Sequence, residues 1–102
     1  MDKKELISEI KKFLMRINAK EAILFGSRAS NEHLERSDVD LIVIDDQFKS
    51  MKFVDRLVYL HRHWRLPYFL EGLAYTQEEF EQLEETRGII REAKKYGIVI
   101  RI

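Results

Sequence analysis

Two aspartates stand at the head of an apolar run, and their spacing suits them to hold a cation. Asp38 and Asp40 flank Val39 in SDVDLIVI. On extended backbone, residues two apart point to the same face, so the two carboxylates would lie side by side. Aspartate is depleted in strands, and oxygen ligands of this kind suit Mg²⁺ or Mn²⁺. The pair alone leaves two interpretations open, a divalent-metal site or two solvated carboxylates at the end of a strand.

A second group of polar residues follows the earlier apolar run EAILF. Gly26 permits a turn and a close approach by a ligand, and Ser27 offers a hydroxyl and an N–H at the start of a helical turn predicted over residues 28–32. That arrangement favours a phosphate, but it also describes an ordinary turn with serine as the N-cap. Arg28 is either a phosphate donor or a surface arginine. Ser37, next to Asp38, is either a phosphate ligand or a turn residue.

The elements that must position these residues follow from hydrophobic periodicity and from the few turn residues. Apolar positions at helical spacing predict helices over residues 2–17, from 53 to 64 with an end before Pro67, and over 86–96 with Gly97 as the C-cap. Asp2 and Glu5 are spaced as a capping box at the start of the first helix, and Thr76 and Glu79 are spaced in the same way at the start of another helix. Apolar runs predict strands at 21–25, 39–44, 68–75 and 98–102. The order of elements predicts an α/β (α+β) architecture in one domain spanning residues 1–102.

The relative direction of the first two strands follows from the two polar groups. Gly26 would lie at the carboxyl end of one strand and Asp38 at the amino end of the next. For both to contact one ligand, those ends must share a sheet edge, so the two strands run antiparallel. The sequence therefore predicts a small mixed sheet of about four strands, flanked by helices.

Composition excludes several other classes of function. Lys plus Arg and Asp plus Glu number 18 each, so the formal net charge is zero and a nucleic-acid partner is disfavoured. No apolar run approaches the roughly 20 residues that span a bilayer, and no signal-peptide pattern is present. Cysteine is absent, which removes disulfides and thiolate chemistry. These features predict a cytoplasmic protein without a membrane partner.

The combined pattern GSRASNEHLERSDVD closely resembles the signature of the minimal nucleotidyltransferases in the DNA polymerase beta superfamily. That signature joins a phosphate-binding Gly-Ser turn to a metal-binding carboxylate pair. The later segments YFLEGLAYTQEEFEQL and KKYGIVIRI are also similar to this family, so the resemblance extends over residues 14–102. It implies the nucleotidyltransferase fold.

The resemblance also implies an activity and the residues that carry it. The family transfers a nucleoside monophosphate, here expected to be AMP from ATP, to a hydroxyl group in a Mg²⁺-dependent reaction. The implied metal ligands and catalytic residues are Asp38, Asp40 and Glu71, and the implied nucleotide-binding residues are Gly26, Ser27, Arg28 and Ser37. Glu71 matches a position where the family more often has aspartate. It is therefore a ligand of altered reach, a general base for the acceptor, or a solvated carboxylate that pairs with an arginine.

A chain of 102 residues is close to a bare catalytic core, so the acceptor is expected from another molecule. Minimal nucleotidyltransferases of this type resemble the antitoxins of helical HEPN-domain toxins, in which AMP is added to a tyrosine of the toxin. This implies a HEPN-type protein partner and assembly into a homo-oligomer or hetero-oligomer. The alternative is a non-catalytic binding module that neutralises its partner and keeps a vestigial nucleotide site. The intact Gly-Ser turn and aspartate pair favour the enzyme, whereas Glu71 favours the alternative.

Overall fold

The computed structural model describes residues 1–29 and 38–102 and contains a four-stranded sheet with helices on both faces. The helices are α1 (Lys3–Arg16), α2 (Phe53–His63), α3 (Gln77–Thr86) and α4 (Gly88–Tyr96), and the strands are β1 (Glu21–Phe25), β2 (Val39–Ile44), β3 (Leu70–Tyr75) and β4 (Ile98–Arg101). Short 3₁₀ turns occupy Gly26–Arg28 and Asp46–Ser50. The predicted α/β class is confirmed. Two boundaries differ by two residues from the prediction, because β3 begins at Leu70, and α4 begins at Gly88 while Thr86 belongs to α3; the other predicted boundaries agree to within one residue.

The sheet is mixed, with strand order β3-β2-β1-β4. β1 is antiparallel to both β2 and β4, whereas β2 and β3 are parallel. The parallel pair follows from the chain path, because α2 lies between β2 and β3 and carries the chain back to the edge at which β2 began. The predicted antiparallel pairing of the first two strands is confirmed.

Alternation along the strands divides the apolar core between the two faces of the sheet. One face carries Leu24, Leu41 and Val43 and is covered by α1 and by Leu60 of α2. The other face carries Ile23 and Ile42 and is covered by α3 and α4 through Phe80, Ile90 and Ala93. Asp40 and Ile42 are two positions apart on β2, so their side chains point to the same face of the sheet. The helices α3 and α4 cover that face only in part. No helix of the described residues is long and apolar enough to cross a membrane.

Predicted caps hold two of the helices at their starts. At α1, the side chain of Asp2 accepts a hydrogen bond from the backbone N–H of Glu5 at 2.8 Å. At α3, Thr76 and Glu79 form the predicted capping box in both directions. Such caps satisfy backbone N–H groups that the helix cannot pair, so local sequence fixes where each helix begins.

Gly97 ends α4, as predicted, but not through a left-handed backbone conformation. Its φ is −75°, a value open to any residue. A Cβ here would overlap the backbone oxygen of Ala93 and the side chain of Ile23, and it would come within 2.9 Å of the oxygen of Leu24. The glycine therefore serves a close approach, which draws the end of α4 tightly against β1.

Arg56 connects three elements from a buried position on α2. Its side chain is only 7 % exposed, and it donates hydrogen bonds to the backbone oxygens of Met51 and Ala74 at 3.1 Å each. It also forms a two-point ion pair with the carboxylate of Glu79, at 2.6 and 3.1 Å. A buried charge is tolerated only when it is paired and hydrogen-bonded, so Glu79 stabilises the junction of α2, β3 and α3.

Replacing Glu79 with glutamine should destabilise the protein in a pH-dependent way. The hydrogen bond from Arg56 holds the pKa of Glu79 below its ordinary value of 4.5, so its contribution is present above that value and is lost as pH falls through the folded-state pKa. Since Glu79 is partly exposed and screened, we expect a loss of about 1 kcal/mol at pH 7, or about 4–8 °C in Tm.

Thermal denaturation between pH 2 and pH 7 measures this difference, with Glu78→Gln as the matched control from the same helical turn. The Tm difference between Glu79→Gln and the parent should shrink toward acid pH. Equal Tm values for Glu79→Gln and Glu78→Gln at pH 7 would contradict the assignment of Arg56 as a paired buried charge.

Candidate functional site

Strand register brings the predicted site residues to one edge of the sheet. Asp40 lies opposite Phe25 in the antiparallel pair and beside Glu71 in the parallel pair. Because Phe25 is the last residue of β1, the turn that begins at Gly26 lies next to Asp40. Asp40, the glycine turn and Glu71 therefore meet at this edge. The sequence predicts that the turn and the aspartates share an edge, because both must contact one ligand.

Gly26 and Asp40 fit each other closely. Gly26 has φ of 70°, in the left-handed region that favours glycine. A Cβ built at this position would overlap Oδ2 of Asp40. The missing side chain therefore creates the space that the Asp40 carboxylate occupies, and any other residue at position 26 would meet both backbone strain and a collision.

Asp40 is surrounded by groups that disfavour its charge. Burial raises its pKa most, and a hydrogen bond with Glu71 and the negative charges of Glu71 and Asp38 raise it further, to about 7 from 3.8. The Asp40–Glu71 pair therefore keeps a shared proton up to neutral pH when no cation is present. A positive charge bound at this position would reverse that preference.

The donor set at this edge consists of carboxylate oxygens, the ligand type that Mg²⁺ prefers. In the described ranges 1–29 and 38–102, no three His, Cys, Asp or Glu side chains are already gathered as a metal cluster. Asp40 and Glu71 are in hydrogen-bond contact, and the exposed Asp38 acts on Asp40 through its charge. A divalent cation fits the chemistry of this set, since it would neutralise charges that now repel one another.

The turn after β1 differs in detail from the prediction. The 3₁₀ turn begins at Gly26, and Phe25 stands at its cap without a side-chain hydrogen bond. Ser27 lies inside the turn, so its predicted role as N-cap is wrong. The side chain of Ser27, all of Ser37, and residues 30–32 of the predicted helical turn lie outside what the structure describes. The nucleotide-binding roles of the two serines stay predictions.

Arg28 is not a surface residue. It is 1 % exposed, and its guanidinium lies over the ring of Tyr68, 4.3 Å from the ring centroid. Beside it, the side chain of Lys3 donates to the backbone oxygen of Ala29 at 3.0 Å. These contacts fasten the glycine turn to α1 and to the segment before β3. A phosphate-binding role for Arg28 stays a prediction.

Two hollows flank Asp40, with Phe25 and Ile89 shared between them. The larger, about 640 Å³, lies between the glycine turn and α4 and is also lined by Glu92 and Tyr96. The smaller, about 210 Å³, lies toward β3 beside Glu71. Sequence reasoning did not include the α4 residues in the site. The sequence shows only that Ile89 and Tyr96 stand seven positions apart on one predicted helix, and the structure shows that both are exposed.

Comparison with known proteins identifies the class of this arrangement. The family described as "Nucleotidyltransferase domain" matches residues 7–100, nearly the whole chain. The chain belongs to that family. The match begins within α1 and ends within β4 of this nucleotidyltransferase domain, so it includes β1, β2 and β3 entirely and most of β4.

Solved structures agree with the fold of the nucleotidyltransferase domain. A crystal structure of an inferred nucleotidyltransferase from Sulfolobus solfataricus is similar at a TM-score of 0.62 and 21 % identity, covering 78 % of this chain and 75 % of that one. A second inferred nucleotidyltransferase is similar at a TM-score of 0.51 and 17 % identity, covering 94 % and 96 %. At these identities the likeness shows the fold. No curated protein matches at a significant level.

Replacing Gly26 with alanine should destabilise the domain, whereas Gly88→Ala should not. A left-handed backbone conformation costs a non-glycine residue roughly 1–2 kcal/mol, and displacement of Asp40 adds to that cost. A Cβ at Gly88 would meet only the end of the Arg91 side chain, at 3.9 Å. Urea denaturation of the two variants gives the comparison.

The destabilisation caused by the collision between a Cβ at position 26 and the Asp40 carboxylate is measured separately by introducing Gly26→Ala into an Asp40→Ala background. There the carboxylate is absent, so the cost of Gly26→Ala should fall toward the backbone cost alone. An unchanged cost in that background would show that Asp40 does not occupy the space beside Gly26.

Replacing Asp40 with asparagine should stabilise the metal-free domain more at high pH than at low pH. Because folding raises the pKa of Asp40, its contribution is fully present below 3.8, the ordinary value, and is lost as pH rises through about 7. The Tm of Asp40→Asn minus that of the parent should therefore increase between pH 4 and pH 8 in EDTA. The exposed Asp46→Asn variant serves as control and should follow the parent. A constant difference across this range would refute the shifted titration.

Proposed function

We propose that this nucleotidyltransferase domain transfers AMP from ATP to a hydroxyl group of a protein partner and releases pyrophosphate. The observation that carries the proposal is the contact of Asp40 with both Gly26 and Glu71 at one sheet edge. That contact joins a turn suited to phosphate, a carboxylate pair suited to a divalent cation, and a third carboxylate. These are the parts that a transfer between phosphate and hydroxyl oxygens needs.

Asp38 and Asp40 are the residues proposed to hold Mg²⁺ or Mn²⁺, with Glu71 as the third carboxylate. A bound divalent cation supplies charge neutralisation at the phosphates and at the attacking oxygen. The chain contributes the placement of its carboxylates. Register fixes Asp40 beside Glu71, and the absent side chain of Gly26 leaves room for Asp40 to face the cleft.

The glycine turn is the proposed seat of the triphosphate. Its backbone leaves β1 with N–H groups at the start of a helical turn, the geometry that favours anions. Ser27, Arg28 and Ser37 are the proposed supporting donors. The burial of Arg28 and its contact with Tyr68 support a role in holding the turn rigid, which positions the N–H groups before a nucleotide binds.

Glu71 is assigned to the acceptor side of the reaction. It lies beside Asp40 and lines the smaller hollow, away from the glycine turn. From that position its carboxylate can accept the proton of the attacking hydroxyl or ligate the cation on that side. Glutamate is one methylene longer than the aspartate more usual at this position. It still reaches Asp40 by a hydrogen bond.

The proposed acceptor is a tyrosine of a helical HEPN-type protein, and the proposed biological role is that of an antitoxin. Both follow from the resemblance of the motif, and the open hollow beside Glu71 supports them, since a protein side chain could enter it. A non-catalytic binding module remains the second candidate. It is favoured by Glu71, which stands where the family more often has aspartate.

The experiment that distinguishes the enzyme from the binding module measures ATP binding and AMP transfer in the same variants. Calorimetry with ATP and Mg²⁺ should show metal-dependent binding that Asp38→Asn and Asp40→Asn each abolish. Glu71→Gln should bind ATP with little change but transfer about 100-fold more slowly, the scale expected for loss of a general base. Transfer is read by intact-mass spectrometry of the helical partner, which should gain whole AMP units.

Glu85→Gln, an exposed change on α3, is the matched control and should behave as the parent in both measurements. Metal-dependent ATP binding that survives both aspartate changes would overturn the site assignment. A partner that the parent and Asp40→Asn both neutralise without any gain in mass would establish the binding module.

A further inference from the structure

The outward face of α2 carries apolar side chains where a surface helix ordinarily carries charge. Val54 is 69 % exposed and Val58 50 % exposed, and with Leu57 and His61 they follow the i, i+3, i+4, i+7 spacing of one helix face. The charged Arg56 instead points inward to Glu79. In this part of α2 the usual distribution of side chains is reversed, because the charged Arg56 is buried and the apolar Val54 and Val58 are exposed.

The apolar surface continues beyond the end of the helix. The ring of Phe69 is 61 % exposed and lies 5.7 Å from the ring of His61, centroid to centroid. Leu57, Val58, His61 and Arg62 line a shallow and wide-open depression. These features form a largely apolar surface of the kind that marks a protein–protein interaction site.

Two charged residues beside this surface indicate which partner can pack against it. Asp55 and Arg62 lie two turns apart on the same flank of the apolar stripe, one near each end of α2. Both are exposed, and neither has an ion-pair partner within residues 1–29 and 38–102. A second α2 helix packed antiparallel about a two-fold axis through Val58 places Asp55 of one copy opposite Arg62 of the other, twice. The surface is therefore complementary to itself in charge as well as in apolar character.

We propose that the α2 stripe is the interface of a two-fold symmetric homodimer. Val54, Leu57, Val58 and His61 form its seam, and two reciprocal Asp55–Arg62 pairs fix its antiparallel direction. One short helix per copy contributes less than the roughly 800 Å² per partner of a standard interface, so the dimer is expected to be weak and concentration-dependent.

The position of the interface leaves the candidate active site free. Leu60 of α2 packs on the sheet face that carries Leu41, opposite the face that carries Asp40. A dimer through α2 therefore keeps both clefts open. The proposal is independent of the nucleotidyltransferase function, and its test uses no nucleotide.

Charge exchange tests both the interface and its direction. Sedimentation equilibrium should show that Asp55→Arg and Arg62→Asp each weaken the parent dimer roughly 10-fold or more, because each change sets like charges opposite each other twice. An equimolar mixture of these two variants should form a heterodimer of parent-like affinity, since every pair is then opposite in charge. The double variant Asp55→Arg plus Arg62→Asp should also dimerise.

Val99→Ser, a change of another exposed apolar residue on β4, should leave dimerisation unchanged. Circular dichroism confirms that each variant is folded. A parent chain that stays monomeric at the highest attainable concentration overturns the proposal. So does a parent dimer that both single charge reversals leave intact, because that dimer must use another surface.

Discussion

The site depends on holding one partly buried carboxylate, that of Asp40, against the negative charges of Glu71 and Asp38. Water would solvate such groups and hold them apart, so the fold must supply the force that keeps Asp40 beside Glu71. That force is the backbone ladder of a parallel strand pair packed over an apolar core. The sheet thereby stores unfavourable charge repulsion at its edge, and a ligand that brings positive charge releases it.

A second charged residue is also buried, but groups of opposite charge and polarity surround it. Arg56 forms an ion pair with the carboxylate of Glu79 and donates hydrogen bonds to two backbone oxygens. It joins α2 to β3, the strand that carries Glu71. The two charged centres therefore differ, because Arg56 faces an opposite charge, whereas Asp40 faces two like charges in the part of the chain that the structure describes. The centre at Asp40 is the one expected to act on a substrate.

Much of this arrangement was readable from local sequence. Helix starts at Asp2 and Thr76 follow from capping geometry, and the strands follow from short apolar runs. The antiparallel direction of β1 and β2 followed from the requirement that Gly26 and Asp38 contact the same ligand at one edge of the sheet. Long-range pairing was harder. The residue-by-residue register of Asp40 with Glu71 depends on how α2 carries the chain across the sheet, and no local signal encodes it.

Other features were missed because their cause is tertiary. Arg56 reads as a surface cation until its partner on α3 is placed, and the α4 wall of the cleft appears only when Gly97 draws the helix end against β1. The error at Ser27 has a different origin. A serine after a glycine suggests a cap, but the left-handed glycine already starts the turn, which moves the cap position back to Phe25.

The interlock of Gly26 with Asp40 also constrains the order in which this chain can change during evolution. While Asp40 is present, a side chain at position 26 is excluded by collision as well as by backbone strain. Loss of the aspartate removes the collision and leaves a milder barrier. A descendant that first loses Asp40 can then fill position 26, and once it has done so, restoring the aspartate alone no longer restores the site. Decay of the site would proceed in one direction, with the carboxylate lost before the glycine.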